Sequence, residues 1–440
     1  MIIKNLKIEK MANKGYGLGF ADSIPIFVSQ AIPGEIVDAE ITESRNNIRF
    51  ATVKKIVESS PSRQNAACEN FENCGGCDWL NINYPAQLTY KDQVLDELFR
   101  KISVPIIEPI DPAPRPQHYR NKVLYPVGLA AKQIKIGMFE RNSHRVISQS
   151  TCNLHPQRFD GIIETIKGYL QAAKVAVYNE KSGAGNIRHI GIRLARSSGD
   201  YLVILVTKKR KMPFTNQLIR VLEEKHPGLK GVIQNINPDI TNVILGKDEK
   251  LLFGDDFIRD EMCGCKFKLN YRSFFQVNKD VAEKMYTFAG EHIEAGCRLL
   301  DAYCGAGTIG VSLAAKTSFL LGLESNDSAV ANARENALAN GVTDSIFECT
   351  DIEQNLAEHC KKHQIDTIIF DPPRKGLNKP VIEAIPAEVR NIVYISCDPA
   401  TQVRDAGYLL DSGFKTVKRK GFDMFPQTYH MENVLILERS

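Results

Sequence analysis

The sequence predicts an α/β protein in three parts: a C-terminal domain on a mainly parallel sheet, a small N-terminal β-barrel, and a central α+β domain. Three observations predict it. From about residue 275, short apolar runs alternate with helix-length stretches; residues 1–58 hold only short runs split by turn signals; residues 65–270 mix both without a regular period.

Composition sets the outer limits. A chain of 440 residues accommodates several domains, and 43% hydrophobic with 25% charged residues places it among ordinary soluble globular proteins. The opening stretch "MIIKNLKIEKMANKGYG" carries regularly spaced lysines without the apolar core of a signal peptide, and nothing downstream approaches a membrane span, so the reading is cytoplasmic. The cysteines, 11 in number and irregularly spaced, do not make a disulfide framework in a reducing compartment; metal ligation, catalysis or burial remain for them. A formal charge of +4 over this length does not argue for a polyanionic partner. Local clusters say more: Arg115, Arg120, Lys122, Lys132, Lys135, Arg141 and Arg145 share their stretch with one acid, Glu140, and "KKRK" (208–211) and "KTVKRK" (415–420) add two shorter patches.

In residues 1–58, the runs "IIKNLKIEKM", "PIFVSQ", "EIVDAEITES" and "IRFATVKKIVES" are separated by "NKGYGLGF" and "AIPGE", which suits a small closed barrel. "SSPSRQ" (59–64) reads as a linker. "QLTYKDQVLDELFRKI" (87–102) has helical spacing, and the prolines of "DPAPRPQ" (111–117) break the chain. Strand-like runs "VLYPVGLA", "HIGIRLA", "YLVILVT" and "GVIQNIN" follow, with helices at "RFDGIIETIKGYLQAA" and "TNQLIRVLEEKH"; their pairing is not defined by pattern. Beyond 275 the strands are "CRLLDAYCG", "SFLLGLES", "SIFECTD", "DTIIFDPP", "NIVYISCD" and "NVLILERS", and "SAVANARENALANG" is a helix ended by Gly341. A parallel sheet covered on both faces binds ligands at the carboxyl ends of its strands.

Those ends carry chemistry. "DAYCGAGTIG" (301–310) places an acid and a glycine-rich turn between a strand and a helix, where Gly305 and Gly307 allow a ligand close to the backbone. It is no phosphate loop, because the G-K-[ST] ending is missing. Glu324 ends the second strand, where an acid can hold both ribose hydroxyls, and Asp351 ends the third, within reach of an adenine edge. An adenosine site without a phosphate loop points to S-adenosylmethionine.

The fourth strand runs into "DPPRKG" (371–376), whose polar-Pro-Pro opening is similar to the segment that amine methyltransferases place over a planar target, although Arg374 stands where those carry an aromatic. The fifth ends at Cys397, just before a helix opened by Pro399, where the helix dipole is expected to lower the thiol pKa. A thiolate there answers a specific problem. Carbon 5 of uracil is a poor nucleophile until a thiolate adds to carbon 6 and makes an enolate, and a base must later remove the proton from carbon 5. His430 and Glu432 in "HMENV" stand before the last strand, and Glu432 is the choice for that base.

Taken in order, "FFQVN", "DAYCGAGT", "DPPRKG", "SCDPAT" and "HMEN" resemble the signatures of the bacterial RNA uracil-C5 methyltransferases, most closely the iron-sulfur branch that modifies 23S ribosomal RNA. The resemblance covers nearly the whole chain. Residues 1–58, with "GYGLGF" and "AIPGE", resemble the TRAM domain, an OB-type RNA-binding barrel. The resemblance implies a Rossmann-like, S-adenosylmethionine-dependent catalytic domain. It implies that Gln276, Tyr303, Thr308, Glu324 and Asp351 line the donor site, that Asp371 lies over the target base, that Cys397 is the nucleophile and that Glu432 is the base. Thr308 departs from the Asn often found there. The implied division is 1–58, then 65–79 with 117–262 as the central domain, then 80–116 with 263–440 as the catalytic domain.

Cys68, Cys74 and Cys77 form a C-x5-C-x2-C run around "ENCGGCDWLN", and Cys152 in "QSTCNLHP" is a distant fourth. Four thiolates suit either a [4Fe-4S] cluster or tetrahedral zinc; the resemblance implies the cluster, in a structural role, because methyl transfer needs no redox step. The basic residues of 115–145 are then expected to contact phosphates, and Trp79 either stacks on a base or fills a core. Cys297, Cys304, Cys349 and Cys360 read as packed side chains, and Cys263 and Cys265 as alternating along a strand. The leading expectation is a monomeric 23S ribosomal RNA methyltransferase with no membrane association. Methylation of the transfer RNA T-loop is the rival with the same catalytic residues, and a non-catalytic RNA-binding or folding factor is the alternative of another class.

Overall fold

The structure is a computed structural model that describes residues 1–439. The N-terminal strands Ile2–Met11, Gly17–Ala21, Ile24–Ser29, Ile48–Glu58 and Ile36–Arg45 close, in that spatial order, into the expected barrel. Residues of alternating parity, Leu6 and Ile8, Ile26 and Val28, Val37 and Ala39, fill its interior. Gly19 is required by close strand approach, since a Cβ there would stand 2.4 Å from the Lys7 carbonyl oxygen.

Trp79 seats the barrel on the remainder. Its indole is buried and donates Nε1–H to the Gly15 carbonyl at 3.3 Å. Met11 and Ile32 of the barrel share one core with Trp79, Tyr90 and Leu95, the last two on the helix Tyr84–Phe99. Of the two readings of this tryptophan, core filling is the one observed.

The central region forms a seven-stranded mixed sheet in the order Asp248–Gly254, Leu229–Ile236, Tyr201–Thr207, Ile187–Leu194, Lys122–Ala130, Gln133–Phe139 and Val146–Ser148. One face packs on the helices Arg158–Ala172 and Thr215–Lys225. The other places Leu202, Ile204, Val206 and Ile233 in a core shared with Val281, Leu299 and Val393 of the C-terminal part. Cover on both faces is why "YLVILVT" is apolar without alternation.

The C-terminal sheet has eight strands in the order Ser345–Cys349, Thr317–Glu324, Cys297–Ala302, Thr367–Phe370, Asn391–Ser396, Glu432–Arg439, Phe414–Phe422 and Ile106–Asp111. The first five run parallel, and Glu432–Arg439 inserts antiparallel. Two of these strands were not expected. Phe414–Phe422 contains the "KTVKRK" patch, and this corrects its reading as exposed charge. Arg419 is fully buried and bound to Asp96, while Lys418 and Lys420 pair with Glu108 on the neighbouring strand Ile106–Asp111. Charges neutralised between adjacent strands leave only Lys415 of this patch exposed.

Cys263 and Cys265 also differ from expectation. Cys263 (φ +50°) and Gly264 (φ +77°) form the two-residue turn of the hairpin Phe257–Met262/Cys265–Asn270. This hairpin crosses the expected 262/263 limit. It docks on the helix Asp327–Ala339, where Asn336 accepts the Lys268 N–H at 2.7 Å, and on the following Asn340, which accepts that of Lys266 at 2.8 Å. No helix among the described residues is long and apolar enough to cross a membrane.

Candidate active site and cysteine-lined cavity

Register brings the expected strand ends to one sheet edge. Ala302 pairs with Leu323 and with Phe370, Phe370 with Tyr394, and Glu324 with Cys349. The residues just beyond, Tyr303, Glu324, Asp351, Asp371 and Cys397, therefore emerge side by side at the carboxyl edge. The antiparallel last strand completes the row: Ser396 pairs with Asn433, which puts Cys397 beside Glu432.

The first turn is built from left-handed residues, Tyr303 (φ +66°), Gly305 (φ +55°) and Gly307 (φ +76°), before the helix Thr308–Leu313. A Cβ at Gly305 would meet nothing within 4 Å, so its glycine is demanded by conformation and the space in front of it is open. Glu324 accepts the Gly305 N–H at 3.2 Å and the Asn326 N–H at 2.9 Å. Asp351 caps the helix Ile352–Lys362, accepting the Glu353 N–H at 2.9 Å and the Gln354 amide at 2.8 Å. Gln276 is buried, and its carbonyl binds Asn121 at 2.9 Å. Thr308 is buried beside Tyr286, whose pKa it lowers against the effect of burial. Tyr286 also faces Asp371 and Asp301, a role that its helical spacing disguised as plain core.

Asp301 is fully buried, with one carboxyl oxygen accepting the Gly310 N–H at 2.8 Å and the other without a partner. Burial pushes its pKa up to about 7, with the nearby Asp371 and Glu324 charges adding to the rise. Asp371 is likewise pushed up to about 7 by burial. Glu432 is buried, and its Oε2 has no hydrogen-bond partner. Burial first, and then the charge of Asp371, raise its pKa well above the ordinary carboxylate range, opposed by Arg374.

The Cys397 thiol does not behave as the helix-dipole argument predicts. Burial, followed by the charge of Glu432, pushes it up to about 12, with Arg374 acting in the opposite direction. The reason is local. Asp398 is the N-cap of the helix Pro399–Asp411 and takes the N–H groups of Ala400 and Thr401 with its own carboxylate, so the helix end offers its positive pole to Asp398. His430, tilted 36° against Tyr429 at a centroid distance of 4.1 Å, is lowered to about 4 by burial and by the cations Arg374, Lys91 and Arg120, so it is neutral.

A second site lies beside this one. Cys68, Cys74, Cys77 and Cys152 line one cavity of about 320 Å³, together with Phe71, Leu80 and Tyr125. Cys74 accepts hydrogen bonds from the Gln149 amide at 3.1 Å and the Gly76 N–H at 3.4 Å. Burial works against the Cys152 thiolate, but the neighbouring His155, followed by Leu154 and Tyr125, outweighs it and lowers its pKa. Four convergent thiols are a donor set for a thiolate-bound metal centre. The segment that carries them reaches the carboxyl edge of the sheet: the N–H groups of Asp78 and Trp79 both donate to the Gln427 carbonyl at 3.0 Å, and the Tyr119 hydroxyl to that of Pro426 at 3.2 Å. The 423–431 loop, which delivers Glu432, thus rests on the cysteine segment. No sequence signal marked that contact.

The basic stretch 115–145 is less free than its composition suggests. Arg115 pairs with Asp280, Arg141 with Asp78 and Arg145 with Glu140, while Lys122 is half-buried and lowered to about 7 by desolvation and by the charge of Arg193. Lys132, Lys135 and Lys209–Lys211 remain at the surface.

A profile of the tRNA (Uracil-5-)-methyltransferase family matches residues 83–440. An uncharacterized RNA methyltransferase of Clostridium tetani is 37% identical over 98% of this chain and 95% of its own, and one of Listeria innocua is 35% identical over 98% and 96%. The crystal structure of Pyrococcus abyssi tRNA (uracil-54, C5)-methyltransferase in complex with S-adenosyl-L-homocysteine superposes with a TM-score of 0.79 at 25% identity, covering 99% of both chains. The strand-end acids, the Cys397–Glu432 pairing and the family match over most of the chain lead to one conclusion: this protein belongs to the tRNA (uracil-5-)-methyltransferase family.

Proposed function

We propose that the protein transfers the methyl group of S-adenosylmethionine to carbon 5 of a uridine in 23S ribosomal RNA. The observation that carries the chemistry is the meeting of Cys397 with a buried carboxyl, Glu432, that has one oxygen unpartnered and no counter-ion in hydrogen-bond contact. Sulfur of Cys397 bonds to carbon 6 of the flipped uracil, and the ring electrons move onto carbon 5 and the carbonyl oxygen. Carbon 5 then attacks the methyl carbon, breaking its bond to the sulfonium and releasing neutral S-adenosylhomocysteine. A carboxylate takes the proton from carbon 5, the ring double bond re-forms, and the Cys397 thiolate leaves. Glu432 is assigned that proton, because His430, lowered to about 4, is too weak a base. Asp371, at about 7, is poised to receive the thiol proton in the addition step.

Gln276, Tyr303, Thr308, Glu324 and Asp351 are assigned to the donor. Residues 1–58 are assigned as a TRAM-type RNA-binding barrel, and Cys68, Cys74, Cys77 and Cys152 as holders of a [4Fe-4S] cluster. The C-x5-C-x2-C run with the distant Cys152, by its resemblance to the iron-sulfur branch, supports the cluster over a single zinc ion. The cluster would fix the cysteine segment on which the 423–431 loop rests. The ribosomal substrate rests on the signature resemblance. Transfer RNA is the second reading, favoured by the substrate that the Pyrococcus abyssi enzyme's description names.

Incubation with 5-fluorouridine-substituted RNA and S-adenosylmethionine tests the reaction. A covalent RNA–peptide adduct at Cys397 is expected, since fluorine on carbon 5 cannot leave as a proton. Absence of that adduct, or an adduct at another residue, rejects the assignment. Mapping of 5-methyluridine in total RNA from cells with and without the protein then separates ribosomal from transfer RNA.

A further inference from the structure

We infer that Glu348, His359 and His363 form a site for a divalent transition cation, zinc by its donor set, on the outer edge of the C-terminal sheet. Glu348 lies on the edge strand Ser345–Cys349, and the two histidines sit one turn apart at the end of the helix Ile352–Lys362. Their donor atoms all fall within 4.8 Å of one another. His359 Nδ1 is 3.7 Å from one Glu348 oxygen and His363 Nε2 is 3.8 Å from the other. Tetrahedral zinc, with ligands at 2.0–2.2 Å, needs donor atoms about 3.3–3.6 Å apart, so side-chain shifts of a few tenths of an ångström close these two pairs.

A second observation points to a ligand. Both nitrogens are buried without a hydrogen-bond partner, and His359 is only 9% exposed. A histidine pair that is merely structural should satisfy those atoms. The rings are fixed as ligands need to be: they lie parallel at 4°, and His363 stacks on Phe319 at 5.4 Å. Lys362 stands 3.7 Å from Glu348 and competes for it, but its side chain is 58% exposed and free to turn to solvent. A cation here would tie the edge strand to the helix whose first turn is capped by Asp351, far from both the cysteine cavity and Cys397.

Cobalt(II) titration of the full chain tests the site, because cobalt absorbs differently with nitrogen and oxygen ligands than with thiolates. Wild type should bind one equivalent with ligand-field bands that lack thiolate charge transfer. Glu348→Gln and His363→Gln, both at partly exposed side chains, should weaken that equivalent about tenfold or more while leaving any thiolate-type signal intact. Zinc should raise the melting temperature of wild type and not of either variant. No such equivalent in wild type, or equal binding in the variants, would overturn the assignment.

Discussion

Cys397 should be an unreactive thiol in the free enzyme, and the size of the effect follows from its surroundings. Its pKa is about 12 against an ordinary 9.0, so at neutral pH it holds about a thousandfold less thiolate than the same cysteine in the unfolded chain. A more basic thiolate is also more nucleophilic, which with a Brønsted slope near 0.45 recovers about twentyfold over that interval. The net expectation is alkylation by iodoacetamide about fiftyfold slower than in the unfolded chain, read by mass spectrometry of the peptide containing Cys397. The pH profile is more telling: the rate should climb about tenfold per pH unit through pH 9 without levelling. Glu432→Gln removes the charge that ranks next after burial and should speed the reaction, whereas Arg374→Leu removes the opposing cation and should slow it. A rate that levels off below about pH 8 would show a thiol activated by the helix end and refute the reasoning from Asp398 capping.

Lys91 is fully buried, bound to Asp423 and to the carbonyl of His430 at 2.8 Å; Lys91→Ala leaves Asp423 without its cation and should cost about 3–5 kcal/mol in urea unfolding. The same variant should lose methyl transfer more than it loses S-adenosylmethionine binding, since it loosens the loop that carries Glu432. Asp301 has a folded-state pKa raised to about 7 from 3.8, so its contribution to stability is fully present below the unfolded value and is lost as pH rises through about 7. Thermal melts without donor should fall between about pH 4 and 7, and Asp301→Asn should flatten that slope. Trp79→Ala should destabilise by about 3–5 kcal/mol and expose the barrel first to hydrogen exchange, because its indole packs in one core with Met11 and Ile32 of the barrel and is bonded to Gly15.

The gathering of these residues at one carboxyl edge was legible because a parallel sheet keeps sequence order and spatial neighbourhood in step. Glu324, Asp351, Asp371 and Cys397 each follow an apolar run, and register alone lines them up. Position was thus readable, but electrostatics was not. The rise of the Cys397 pKa depends on which carboxylates share its pocket and on Asp398 claiming the helix end, both set by side-chain placement. The strand Phe414–Phe422 was hidden because its lysines mimic a solvated run, and their partners, Glu108 and Asp96, come from more than 300 residues earlier. The same distance in sequence concealed the contact between Asp78, Trp79 and Gln427 that ties the cysteine cavity to the catalytic loop. Cys263 was misread because alternation of two cysteines about a glycine fits a strand and a tight turn equally well.

The central claim is that Cys397 and Glu432 divide the work, sulfur making the bond to the ring and the carboxylate permitting its release. Glu432→Gln mixed with S-adenosylmethionine and unmodified substrate RNA, then analysed by mass spectrometry under denaturing conditions, tests it most directly. The account predicts a lasting Cys397–RNA adduct that already carries the new methyl group. Free 5-methyluridine formed at the wild-type rate, with no adduct, would contradict it.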